Sequence, residues 1–95
     1  MYNVEHLMEH YNEALEEMMG AQKYAKLSAH SQDKDEQMMY RNMTKQEVEH
    51  ADMLIKSVDR SFVDVPPSDP VHQMWMHLKK HIHEWREDIE KHIGK

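Results

Sequence analysis

Glu17, Glu47 and His50 are the residues of this chain whose types and spacing point to chemistry. Glu47-Val48-Glu49-His50 reads Glu-x-x-His, which on a helix sets a carboxylate and an imidazole on one face, a turn apart. With residues placed at about 100° intervals, Glu47 falls near the middle of an apolar arc of Met39, Tyr40, Met43, Ala51, Met53, Leu54, Val58 and Phe62. His50 lies about 60° away, still inside that arc. A carboxylate withdrawn from water without a partner is unstable by several kcal/mol or more. Protonation, a cationic side chain or a metal ion must offset that cost. Arg41 and Lys45 project to other faces of the same helix, which therefore offers little cationic help. On the helix before it, Glu5, Glu9, Glu13 and Glu16 point to the solvent side. Glu17 instead lies on the flank of the apolar arc, beside Ala14, Ala21 and Tyr24.

These residues need elements to carry them, and the sequence marks three helices in a single domain spanning residues 1–95. Only two glycines occur, and all three prolines fall between Pro66 and Pro70. The rest is rich in helix-favouring Glu, Lys, Met, Ala, Leu and Gln. The first helix is expected over about 4–29, with Asn3 as N-cap and an arc of Val4, Leu7, Met8, Tyr11, Leu15, Met18 and Ala25. The second is expected over about 34–61, with Asp33 as N-cap and Glu36 three residues on, the pattern of a capping box. Its wide apolar arc predicts burial against more than one neighbour and places this helix at the centre of the fold. The third is expected over about 70–93, with Asp69 as cap, Pro70 at the first position and Gly94 as terminator. Its stripe of Val71, Trp75, Leu78, Ile82, Trp85, Ile89 and Ile93 is close to a coiled-coil seam. The stretch from Val63 to Ser68 reads as a stiff, extended connection.

The heights of the candidate ligands agree. Glu17 lies 15 residues before Gln32, and Glu47 lies 14 after Asp33. In an antiparallel hairpin turning at Gln32-Asp33, both sit roughly 22 Å from the turn at about 1.5 Å per residue. Di-iron carboxylate bundles use a Glu from each of two helices and Glu-x-x-His from each of two others. One copy of this chain supplies half of that set, and the third helix contains no Glu-x-x-His. A two-fold dimer would complete it, with two copies each of Glu17, Glu47 and His50. The competing account is a satisfied buried Glu47–His50 pair with no metal, or a helix rotated so that Glu47 is solvated.

Composition narrows the field further. Among the 95 residues there is no cysteine, which excludes disulfides, zinc–thiolate sites and thiol nucleophiles. The net charge of −6 argues against nucleic acid and anionic membranes as partners. No apolar stretch approaches the ~20 residues of a membrane span. No basic segment followed by an apolar run opens the chain, so a soluble cytoplasmic protein is expected. The ten methionines are read as fillers of irregular gaps between helices, in preference to a thioether copper site.

Over roughly residues 5–62 the sequence resembles the ferritin superfamily, and in particular the encapsulated ferritins. The likeness rests on Glu17, Tyr24 seven residues later, Glu47 thirty residues after Glu17, and Glu47-Val48-Glu49-His50-Ala51 followed by Met53. The stretch from Tyr24 to Leu54 is also similar to rubrerythrin helices, without their cysteine-ligated iron centre. The resemblance implies an all-α antiparallel helical hairpin that forms a ferritin-like four-helix bundle on dimerisation. It implies a ferroxidase centre built from Glu17, Glu47 and His50 of both chains and taking two irons per dimer. Fe(II) would be oxidised to Fe(III) there by dioxygen or peroxide, in iron storage or detoxification. Rings of dimers are the implied assembly. Two features differ from that family: the long third helix, and a C-terminus from Ile89 to Lys95 that does not resemble the apolar peptide docking cargo inside an encapsulin shell. The shell therefore stays open as a partner. The alternative is a non-catalytic homo-oligomeric helical protein that holds zinc, manganese or another divalent metal on the same residues.

Secondary candidates are Tyr24, as a hydrogen-bond or electron donor near the ligands, and His6 with His10, one turn apart, as an ion access path. His77, His81, Glu84 and Asp88 form a flank stripe on the third helix that suits a further metal site or a hydrated face. Gly20, in mid-helix, suggests close approach of another chain.

Overall fold

The computed structural model describes residues 4–93. It contains three helices: α1 from Val4 to His30, α2 from Lys34 to Ser61 and α3 from Pro70 to His92. α1 and α2 form the expected antiparallel hairpin. Their turn is short, and its polar groups hold it closed. Ser28 Oγ donates to the Gln37 carbonyl at 3.0 Å, and the Gln37 amide donates to the Ser31 carbonyl. Asp33 caps α2 by accepting from the Asp35 N–H at 3.1 Å, one residue nearer than a capping box would place that bond. Asp69 caps α3 in the same way through the Val71 N–H at 2.8 Å. Asn3 and Gly94, read as cap and terminator, lie outside the described residues. α3 ends with Ile93 as its C-cap rather than within the helix.

The stretch from Val63 to Ser68 is not extended. It folds into two successive turns, closed by Val65 N–H to the Phe62 carbonyl and by Asp69 N–H to the Pro66 carbonyl, both 3.0 Å. Pro67 supplies the fixed φ that the second position of such a turn favours. The turns bring α3 back along the hairpin, and the whole molecule is 51 × 18 × 16 Å.

The centre of the fold is α1, which corrects the expectation for the second helix. α1 packs on both other helices, whereas α2 and α3 meet chiefly through long side chains. Its buried face carries Leu7, Tyr11, Ala14, Met18, Ala21, Ala25 and Ser28. The small residues at 14, 21, 25 and 28 let two neighbours close on it. α2 buries Thr44, Val48, Ala51, Ile55 and Val58, a narrower stripe rotated from the predicted arc. Met39 and Met53, counted in that arc, are 47% and 67% exposed. The wide arc is thus two faces: one packed on α1, the other open.

α3 docks as its pattern predicted, with Trp75, Ile82, Ile89 and Ile93 buried. Polar ties to α2 fix its register. Trp75 Nε1–H donates to Asp59 at 2.8 Å, Lys79 pairs with the same carboxylate at 3.0 Å, and Arg86 joins Asp52 at 2.6 Å and Glu90 at 3.0 Å. Among the described residues, no helix is long and apolar enough to cross a membrane.

Candidate metal centre

The hairpin brings Glu17, Glu47 and His50 together. Each offers one ligand atom, and the three atoms lie within 4.8 Å of one another. The short turn accounts for this: it holds α1 and α2 in the register that equal distances from Gln32-Asp33 require. His50 Nδ1 stands 3.5 Å from Glu17 Oε2. That contact is an ion pair only when the imidazole is protonated.

The depth of the site differs from the sequence reading. Glu47 is half-buried on the flank of α2's packed face, not at its middle, and the His50 side chain is 57% exposed. The cost of burying Glu47 is correspondingly smaller, and its neighbours meet part of it. A hydrogen bond with Glu17 holds the Glu47 carboxyl above its ordinary value. Burial and the Glu17 charge push in the same direction, and His50 opposes them. A cation entering between these carboxyls competes with any proton that Glu47 holds.

The site opens on one flank of the hairpin only. Met39, Met43, Glu47, His50 and Leu54 fall on one stripe of α2. Asp52 and Asp59, which hold α3, lie about 120–140° round the helix from Glu47. On α1, Gln22 faces α3 and lies about 140° round from Glu17. α3 therefore covers the opposite side of the hairpin, and the ligand cluster sits in an uncovered, methionine-bordered face. Arg41 and Lys45 are exposed, as expected.

Tyr24 is half-buried and stacks on Tyr40, ring centroids 6.2 Å apart. Tyr40 was not singled out from sequence, yet it precedes Glu47 by the same seven residues by which Tyr24 follows Glu17. That mirrored spacing across the turn was the available signal. His6 and His10 approach each other, with centroids 4.2 Å apart and His10 Nδ1 against the His6 carbonyl at 3.0 Å. His81, Glu84 and Asp88 line a groove with Trp85 and Gln22 between α1 and α3, on the flank away from the cluster. His77 is exposed. Gly20 turns out to face Glu47 of its own chain.

Comparison with protein families, with curated proteins and with solved structures finds no match to this chain.

Proposed function

We propose that this chain is a ferritin-like di-iron ferroxidase whose centre is shared between two copies. The observation that carries the reading is the convergence of Glu17, Glu47 and His50 within 4.8 Å on the flank left open by α3. Two carboxylates and one imidazole suit iron: the carboxylates favour the ferric product, and the imidazole suits the ferrous substrate. Three donors are half of the set that di-iron bundles use. The exposed Met39, on the same stripe of α2 as His50 and about three turns before it, gives that face an apolar border, as a self-complementary two-fold contact requires. A second hairpin on this face would bring the helices to four and the ligands to four carboxylates and two imidazoles.

In this reading Glu17 and His50 bind the ferrous substrate from each chain, and Glu47 lies between them. Below the raised value of the Glu47 carboxyl, cation binding displaces its proton and uptake releases acid; above it, the cation relieves the repulsion between two carboxylates. Two ferrous ions give up two electrons, which with two protons reduce one dioxygen to hydrogen peroxide. The protein's part is to hold both ions together and to keep the carboxylates ionised around the product.

The test is the rate of ferrous oxidation in air, at about two irons per dimer, for the native protein and for Glu47→Ala. A fast native rate lost in the variant supports the centre. A native rate equal to the buffer blank ends the ferroxidase reading and leaves a non-catalytic metal site, for which zinc and manganese binding are then measured.

A further inference from the structure

Gly20 occupies the middle of α1, in ordinary helical backbone, where glycine weakens the helix relative to alanine. No left-handed torsion requires it. What it makes room for is specific. A Cβ built on Gly20 would stand 3.1 Å from Glu47 Oε2, 3.5 Å from Glu47 Cδ and 3.8 Å from Glu47 Cγ. These three nearest atoms all belong to one carboxylate side chain. No core side chain and no backbone of α2 stands closer. Within the chain, what the glycine accommodates is thus a side chain and not the backbone of a neighbouring helix. It is a bare patch of α1, one turn beyond Glu17, against which the Glu47 carboxylate lies.

We infer that Gly20 is a positioning residue for the candidate metal centre: its missing side chain sets where the Glu47 carboxylate stands relative to Glu17 and His50. An alanine there would meet Oε2 inside ordinary van der Waals distance and displace it by a few tenths of an ångström. The carboxylate ends a flexible side chain, so it would swing aside rather than break the hairpin. The helix would gain and the site would lose. This inference rests on the proposal that the cluster binds a cation, and it adds the residue that places the middle ligand.

The experiment titrates metal-free protein with cobaltous ion, followed by its visible absorption, alongside thermal melting without metal. The proteins are the native chain, Gly20→Ala, Glu47→Asp and the double variant. Gly20→Ala should melt about 4–8 °C higher without metal, from helix propensity alone. It should bind cobalt about tenfold more weakly, as loss of a group that orients a ligand does. Shortening the carboxylate withdraws it from the alanine methyl. The loss caused by Glu47→Asp should therefore be smaller in the Gly20→Ala background than in the native one. Unchanged affinity in Gly20→Ala overturns the inference and leaves the metal site standing. A lowered melting temperature overturns it too, because the glycine would then serve packing. Strictly additive effects of the two substitutions also overturn it. A native protein that binds no cobalt overturns the inference and the metal reading together.

Discussion

Replacing Glu47 by glutamine should stabilise the metal-free protein at neutral pH and flatten its dependence of stability on pH. The Glu47 carboxyl holds its proton more tightly in the folded chain than its ordinary value of 4.5 implies, first because of its hydrogen bond with Glu17. Between the unfolded and folded values the folded chain binds the extra proton, so stability falls as pH rises through that window. The contribution is fully present below the unfolded value of 4.5 and lost as pH climbs past the raised one. Above it, two carboxylates face each other across no more than 4.8 Å. Two unit charges at that separation repel by about 0.9 kcal/mol at the dielectric of water and about 3.5 kcal/mol at an effective dielectric of about 20. The Glu17 side chain is 30% exposed, so the lower figure governs. About 1 kcal/mol corresponds to about 4–8 °C in Tm for a domain of this size. The assay is thermal melting by circular dichroism, in chelator, from about pH 4.5 to pH 8. Glu47→Gln should melt several degrees above the native protein at the alkaline end and converge with it at the acidic end. Parallel curves, or a variant that melts lower at the alkaline end, would refute the reasoning.

Three further outcomes follow from the same geometry. Anaerobic ferrous iron at about a hundredfold excess over its Kd should stabilise the native protein by about 2.7 kcal/mol, and an unchanged melting curve would count against a binding site. Met39→Glu places a charge on the open face, where the side chain is half exposed; sedimentation should show a dimer converted to monomer while helix content is kept. Trp75→Ala removes a residue 1% exposed together with its bond to Asp59, and should cost about 3–5 kcal/mol in chemical denaturation. A loss below about 1 kcal/mol would mean that α3 is not held as described.

The elements were largely legible because their signals are local. Asp33 and Asp69 announce two helix starts, the second helix has the bounds expected, and the first ends one residue later, at His30. Convergence of Glu17 with Glu47 was legible because a tight turn converts equal sequence distance into equal height. The depth of Glu47 was not. Methionine at 39 and 53 enlarges an apolar arc whether or not anything covers it, while Val48 and Ile55, which are buried, were left out of that arc. Hydropathy states that a face can be buried, and only the neighbour decides which part is. The ties from Asp59 to Trp75 and from Asp52 to Arg86 have no local signature, since they join residues 16 and 34 positions apart. Gly20 was visible as a cost to its helix, and the carboxylate that explains it comes from 27 residues away in sequence.

The division of the hairpin into two flanks bears on how such a sequence can change over generations. Among the described residues, the cluster of Glu17, Glu47 and His50 lies on α1 and α2, and α3 is fastened to the far side through Asp52, Asp59 and the α1 surface near Gln22. Substitutions along α3 therefore alter stability without altering ligand placement. The third helix is free to lengthen, to exchange its exposed histidines or to acquire new binding faces while the cluster stays as it is. The reverse does not hold. A one-residue insertion between Glu17 and Glu47, within α1 or α2 and outside the turn itself, rotates Glu17 on one side or Glu47 and His50 together on the other by about 100° and ends the convergence at a single step.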